Sequence, residues 1–312
     1  SVKKMKQNII LSDTKEREAL LKYFPQGIVA LDIETTGLSP AFDHIVELSA
    51  IKISQVGDEV FSSLVDPIIE IPQKVIDIHG ITNEMVKDAP DRSLVLKDFK
   101  KFIKNLPLLA HNALFDIGFI AQNYEHLNFP FSSNSVYCTV KFSRKVYSEL
   151  PHHKLGYLVQ KLGIPLENHH RAFDDALACL RLFCRGLIKN EENHSEKGTK
   201  KILEEAYLLN LNDFNVKSFK GTSSHHNTLK KSLRDGELIE IKYNGGSQKN
   251  KFRPIRPISL IPRPNGLCLY AHCLQSDLFK FYLLKKIPEV KMLKGADKEF
   301  WEEKLKNRPE KK

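Results

Sequence analysis

The sequence predicts an α/β fold, a mixed sheet with flanking helices, followed by a smaller, mainly β region. Three observations predict it. Apolar runs of strand length come first, at residues 28–33, 45–53 and 60–65, and from residue 94 strand-like runs alternate with helical ones. The polar stretch NEENHSEKGTK at 190–200 then lacks any apolar periodicity and reads as a linker. Beyond it, short β-favouring runs are divided by Gly, Pro and Asn, the pattern of a small barrel. The expected domains are therefore 1–189 and 201–312.

Taken in order, residues 13–23 (DTKEREALLKY) read as a helix, with Asp13 as N-cap and Glu16 three residues on. Residues 28–33 are almost wholly apolar, as a strand buried on both faces should be. The runs 45–53 and 60–65 flank the turn signal Gly57-Asp58. Helix 94–103, strand 106–110, helix 113–124 and a strand near 136–139 follow. Helical stretches at 141–147, 155–162 and 173–188 complete the first half. In the second, helices at 202–211 and 228–234 lead into strands at 238–243, 251–261, 267–273 and 278–287, with Asn244-Gly245-Gly246 as a turn.

The bulk numbers narrow the function classes. The 312 residues are 41% hydrophobic and 28% charged, as in a soluble globular protein. No run of about 18 apolar residues occurs, and the basic N-terminus lacks an apolar signal core, so a cytoplasmic protein without membrane spans is expected. Cys138, Cys179, Cys184, Cys268 and Cys273 are odd in number and form no C-x-x-C pair; buried free thiols are expected rather than a zinc site or disulfides. Of the net charge of +10, residues 191–312 carry +9, with 25 Lys and Arg against 16 Asp and Glu. That asymmetry suits contact with a polyanion.

The chemistry concentrates at the ends of buried elements. Asp32 and Glu34, two apart on a strand, project to one face. Two carboxylates so close call for a hard divalent cation. The small, turn-forming run Thr35-Thr36-Gly37-Leu38 follows. His111-Asn112-Ala113-Leu114-Phe115-Asp116 straddles a strand end and a helix start, and His170-Arg171-Ala172-Phe173-Asp174-Asp175-Ala176 opens the long helix. Spacing alone leaves Asp174 and Asp175 both open; His169, His152 and His153 read as solvated loop residues.

On the motifs LDIETTGL (31–38), HNALFD (111–116) and HRAFDDA (170–176), residues 28–189 resemble the DnaQ-like, DEDDh-type 3′–5′ exonucleases. Ile78-His79-Gly80-Ile81-Thr82 also resembles the family's segment after its third strand. The resemblance implies a ribonuclease H-like fold with a five-stranded mixed sheet, and hydrolysis at nucleic-acid 3′ ends with two divalent ions, Mg²⁺ or Mn²⁺, roughly 3.5–4 Å apart. It assigns Asp32 as the bridging ligand, Glu34 and Asp175 as completing the site of the attacking water, and Asp116 as holding the second ion. It selects Asp175 over Asp174. His170 would accept the water's proton, a task its ordinary pKa of about 6.5 suits. Leu38 resembles the residue that wedges against the terminal base and Thr35 one that contacts the terminal nucleotide. Asn112 and Phe115 are candidates for the cleft lining, with core packing the alternative for Phe115.

Residues 228–292 resemble the WYL domain, an Sm-like or SH3-like barrel, on LKKSLRDGELIEIKY (229–243), FRPIRPISL (252–260), LCLYAHC (267–273) and LFKFYLLKKI (278–287). The eponymous trio falls on Leu267, Cys268 and Leu269, of which only the Leu matches. Cations and aromatics interleave here, and Lys242, Tyr243, Arg253, Arg256 and Lys280 are candidate contacts to a nucleic-acid strand. The expected function is thus a metal-dependent 3′–5′ exonuclease acting on a single-stranded 3′ end, its C-terminal domain gathering the nucleic acid. A proofreading subunit docking to a polymerase, or a sensor using the nuclease fold as scaffold, are the rival readings.

Overall fold

The computed structural model describes residues 3–7, 10–38, 40, 43–166, 169–214, 224–246, 249–263 and 266–306. Residues 1–213 and 214–312 form two compact units. The first contains, among the described residues, strands β1 (Lys3–Gln7), β2 (Ile28–Thr35), β3 (Ile45–Ser54), β4 (Gly57–Leu64), β5 (Leu108–Ala110), β6 (Ser135–Cys138) and β7 (Tyr207–Asn210). Its helices are α1 (Thr14–Tyr23), α2 (Gln73–His79), α3 (Asn83–Val86), α4 (Arg92–Ile103), α5 (Leu114–His126), α6 (Thr139–Val146), α7 (Leu155–Lys161), α8 (Ala172–Asn193) and α9 (Glu196–Ala206).

The sheet order is β1-β4-β3-β2-β5-β6-β7. Strands β2, β3 and β4 form an antiparallel meander, β5 and β6 run parallel to β2, and β7 pairs antiparallel with β6. The mixed sheet is thus as expected, but it has seven strands where five were anticipated. The two additions are edge strands. β1 (KKMKQ) has no apolar run to announce it and is defined by its pairing with β4.

Asp13 caps α1 by accepting from the backbone N–H groups of Lys15 (2.9 Å) and Glu16 (3.0 Å). The turn into β2 is made at Gly27, φ +106°, where a Cβ would stand 2.6 Å from the Ile53 carbonyl oxygen; only glycine fits. Alternation along the strands then sorts the core. Ile28, Ala30 and Val60 join the cluster built with Ala176, Leu180 and Phe183 of α8. Phe61, next to Val60, points the other way and meets Phe99 and Phe102 of α4 at ring-centroid distances of 5.7 and 5.6 Å.

The stretch 190–200 is not a linker. α8 runs to Asn193 and α9 begins at Glu196, capped by Ser195; α9 buries Thr199, Leu203 and Ala206, and the Asn190 amide donates to the Thr199 hydroxyl at 2.8 Å. A helix that buries so few side chains carries a polar composition, which is why it reads as a tether. The helical lead-in expected for the second domain therefore belongs to the first, and the division falls after Asp213.

The second unit contains α10 (Ser224–Asp235), β8 (Ile239–Lys242), β9 (Phe252–Arg263), β10 (Gly266–Cys273), β11 (Leu278–Leu283), β12 (Glu289–Met292) and α11 (Gly295–Lys306). The strands form an antiparallel sheet in the order β11-β10-β9-β8-β12, over a core of Leu229, Ile239, Ile241, Ile255, Leu269, Tyr282 and their neighbours. Read by unit, the charge is more divided than the halves of the sequence suggest. Residues 1–213 hold 26 Lys and Arg against 28 Asp and Glu (net −2), and residues 214–312 hold 22 against 10 (net +12). All five cysteines are free and buried. Among the described residues no helix is long and apolar enough to cross a membrane.

Candidate active site

β2 is buried on both faces from Ile28 to Leu31; beyond that, Asp32 and Glu34 are half-buried while Ile33 and Thr35 remain buried. The two carboxylates lie on the same side of the strand as Ile28 and Ala30, the side covered by α8. Asp175, in the first turn of α8, meets them there: the ligand oxygens of Asp32, Glu34 and Asp175 all lie within 4.8 Å of one another. Asp174 belongs to no such group among the described residues, so the helix turns Asp175 to the site. Asp116, in the first turn of α5, is 2% exposed, and its Oδ1 accepts the Ile33 backbone N–H at 3.2 Å. It is tied to β2 at Ile33 and lies outside the Asp32–Glu34–Asp175 group, yet of the neighbouring carboxylates it acts most strongly on Asp32.

Burial governs the electrostatics. It pushes the Asp32 carboxyl well above the usual carboxylate range, aided by Asp116, Glu34 and Asp175. Glu34 is raised to about 8, by burial first and then by Asp175, Glu47 and Asp116. Asp116 is also raised to about 8, chiefly by burial. Among the described residues no ion pair from Lys or Arg reaches Asp32, Glu34, Asp116 or Asp175. A cluster of oxygen ligands whose mutual repulsion is offset by no direct ion pair, and at Glu34 only weakly by Arg171, fits a hard divalent cation.

His170 sits at φ +67°, a left-handed conformation that costs a residue other than glycine about 1–3 kcal/mol. Its ring stacks on that of His169, centroids 3.8 Å apart, and its backbone N–H donates to Asp175 Oδ2 at 3.3 Å. His169, expected to be a solvated loop residue, places its Nδ1 3.0 Å from Asp175 Oδ1. The ring rests beside Gly156 of α7, where a Cβ would stand 2.8 Å from His169 Nε2. Burial, then the neighbouring His169, lowers the His170 pKa below its ordinary value, so the imidazole is neutral at neutral pH.

Glu47 of β3, opposite Glu34 in the sheet, is a further buried carboxylate that the motifs do not include. It accepts from Arg171 Nη2 (2.7 Å) and Nε (3.2 Å) and from the Ala172 backbone N–H (3.0 Å). This clamp fixes the start of α8, and with it His170 and Asp175, against the sheet. Its sequence signal is weak: one acidic residue in the run IVELSAIKIS, whose partner lies 124 residues away.

A cleft of about 740 Å³ opens in front of the carboxylates, lined by Asp32, Asp175, His169 and His170 on one side. Asn112, Arg144, His152, His153 and Lys154 contribute the rest of the wall. His111 ties that wall together, with Nδ1 2.8 Å from the Thr139 hydroxyl and Nε2 3.0 Å from the His153 carbonyl; burial pushes its pKa down to about 4. Asn112 adopts φ +61° at the cleft. Phe115 packs against Phe119, ring centroids 5.1 Å apart and planes tilted by 55°, so core packing accounts for much of its ring. Thr35 is buried and its hydroxyl donates to the Gly37 carbonyl at 2.6 Å, which braces the loop that carries Leu38. Leu38 itself is 85% exposed, an apolar side chain held out beside the site. His79 of the IHGIT segment is buried, its Nδ1 accepting the Ile81 N–H at 3.0 Å; it shapes the turn between α2 and α3.

The second-unit candidates divide. Arg253 is only 7% exposed, its guanidinium lying over the rings of Tyr243 (5.6 Å) and Tyr282 (5.9 Å), and Tyr243 packs against the core. Arg253 is therefore internal, while Tyr243 is half-buried with its ring against the core. Lys242, Arg256 and Lys280 are half-buried at the surface.

A mixed α/β sheet with acidic residues gathered at the end of its central strand, beside a cleft, agrees with the DnaQ-like exonuclease resemblance of the first unit. Residues 29–183 match the RNase_T exonuclease family and belong to it. The PolC-type DNA polymerase III of Oceanobacillus iheyensis is 40% identical over 186 residues, 57% of this chain and 13% of that one. That of Clostridium perfringens is 35% identical over 265 residues, 83% of this chain and 18% of that one. The chain therefore spans less than a fifth of the length of these relatives. Among solved structures, E. coli exonuclease I in complex with a dT13 oligonucleotide matches with a TM-score of 0.50 and 14% identity, over 90% of this chain and 70% of that one, a likeness of fold.

Proposed function

We propose that the protein is a divalent-metal-dependent 3′–5′ exonuclease that removes nucleotides from single-stranded DNA ends. The convergence of Asp32, Glu34 and Asp175, with Asp116 behind them and His170 at the cleft, carries the reading. Asp32, Glu34 and Asp175 would hold one Mg²⁺ or Mn²⁺, and Asp32 with Asp116 a second. Bound there, the two ions would polarise the scissile phosphate and activate the attacking water. His170, neutral at working pH, accepts a proton from that water at its ring nitrogen. His169 and the His170 backbone keep the Asp175 oxygens turned to the site. Leu38 braces the terminal base, Thr35 and Asn112 line its sugar and phosphate, and Arg144 and Lys154 draw the backbone into the cleft. The second unit, read as an Sm- or SH3-like barrel with net charge +12, adds affinity for the strand.

DNA is favoured because the similarity to DNA polymerase III PolC-type chains reaches 40% identity. The match to the C. perfringens chain covers 83% of this chain, more than the first unit alone, and this favours a second reading in which the exonuclease proofreads for a polymerase partner. End-labelled single-stranded DNA, duplex DNA and RNA, digested side by side with and without chelator, test the first reading. Single-stranded DNA should shorten from its 3′ end only with Mg²⁺ or Mn²⁺, and not with Asp32→Ala. DNA left intact with either metal refutes it. Co-purification with a replicative polymerase is the test of the second.

A further inference from the structure

The sheet of the second unit has an outward face whose aromatic residues are not among the candidate contacts read from the sequence. Leu269, Ala271 and Tyr282 point into the core, so the residues alternating with them on β10 and β11 point away from it. Those residues are Tyr270, His272, Phe279 and Phe281, and the register sets them in pairs, Tyr270 beside Phe281 and His272 beside Phe279. Their rings form a continuous ladder, each tilted by 25–32° from the next. Tyr270 and Phe281 are 4.6 Å apart at 32°, Tyr270 and Phe279 6.1 Å at 31°, and His272 and Phe279 4.7 Å at 25°. The outermost rings are exposed, Phe279 by 39% and Phe281 by 42%. Asp277 holds His272 through a 2.7 Å contact to Nε2 and fixes the inner end of the ladder.

The same face carries cations. Arg256 of β9 stands opposite His272 in the register. Four residues before it on the same strand, and so on the same face, Phe252 lies under the ammonium groups of Lys242 (5.3 Å) and Lys291 (4.2 Å). Glu289 moderates this end through its pairs with both lysines. Trp301 and Leu305 of α11 pack with Leu238, Leu274 and Leu293, while Phe279 and Phe281 remain exposed.

We propose that this face binds a single strand of nucleic acid, with unpaired bases stacking on Phe281, Tyr270 and Phe279 and phosphates reaching Arg256, Lys242 and Lys291. Flat rings presented side by side accept the π-face of any base, and flanking cations follow the backbone. A protein partner could use exposed rings too, but it would have no need of a unit with 22 Lys and Arg against 10 Asp and Glu. The inference deepens the nucleic-acid role proposed for residues 214–312 and makes no use of catalysis.

The test is anisotropy of a labelled single strand of about 12 nucleotides with the full chain, carrying Asp32→Ala to prevent cutting. Phe279→Ala and Phe281→Ala should each weaken binding at least about fivefold, and their salt slope should be unchanged because no charge is lost. Arg256→Gln should instead lower the slope of log K against log salt by about 0.7. Phe281→Trp should restore wild-type affinity, and blunt duplex should bind equally to all the ring variants. Should an alanine variant fail to keep its melting temperature, Phe279→Leu and Phe281→Leu retain apolar area without a flat ring and should show the same loss. Folded ring variants that bind the single strand like wild type overturn the proposal and leave the face to a protein. A parallel loss on single strand and duplex overturns stacking as well. Either result leaves end-labelled digestion by the wild-type chain untouched, so the exonuclease reading stands or falls separately.

Discussion

Glu34 and Asp116, with carboxyls raised to about 8 chiefly by burial, and Asp32, raised likewise, tie stability to pH and metal. In the unfolded chain these groups titrate near 4. Between about pH 4 and pH 8 the folded, metal-free protein therefore holds protons that the unfolded chain has released, and stability falls as pH rises. In chelator the melting temperature should drop from pH 5 to pH 8.5, and Mn²⁺ or Mg²⁺ should raise it most at the alkaline end. Glu34→Gln should flatten the drop; a metal-free melting temperature that climbs over this range contradicts the argument. At His170 the expectation is kinetic. His170→Ala should lower kcat by about 10²–10⁴-fold with metal affinity largely kept, whereas Asp32→Ala should lose both. A His170→Ala enzyme with wild-type turnover, in single-turnover assays, ends that assignment.

At the scale of elements, the start of α8 depends on Glu47. Glu47→Ala would leave Arg171 and the Ala172 N–H without their acceptor, at a cost of about 2–4 kcal/mol, reduced from a fully buried pair because Arg171 is partly solvated. Glu47→Gln should cost less, and urea denaturation measures both; equal stability of Glu47→Ala and wild type would show that the clamp is idle. Such a clamp is not legible in sequence, because the two partners sit far apart on a strand and a loop, and only Arg171 falls within a motif. Asp32 and Glu34 were legible because strand alternation sets them on one face, whereas Asp175 was picked out from Asp174 by the motif it shares with the exonuclease family and not by spacing. The same logic explains β7 and α9. Tyr207–Asn210 reads like the continuation of a helix until β6 offers it an edge, and that edge lies outside any local window. His169 was passed over for a similar reason: its role comes from an acceptor on the next turn of structure, not from its neighbours in the chain.

For the molecule as a whole, the position of the division has consequences for truncation. A chain ending at Asp213 keeps α9 and β7 and should melt cooperatively, with metal-dependent cleavage. A chain ending at residue 190 loses β7, leaves β6 as an open edge strand and uncovers the surface that packed on Leu203, Ala206 and Leu209, so it should aggregate. Size-exclusion chromatography distinguishes them, and a monodisperse 1–190 fragment would refute the boundary. Because residues 214–312 carry net +12 and the first unit −2, the 1–213 fragment should also bind a single strand more weakly and with a flatter salt dependence than the full chain. Matching slopes would place the strand's phosphate contacts in the first unit.

His111 joins the strand end at Ala110 to the loop at His153, and burial keeps its ring uncharged down to about pH 4. The hinge-post of the cleft is therefore silent to proton concentration over the range in which an enzyme of this kind is assayed. An acid limb in a pH–rate profile above pH 5 then arises elsewhere than at His111, whose charge is the same throughout. His111→Asn, which keeps a donor and an acceptor but no imidazole, should shift the whole profile vertically and leave its inflection points in place.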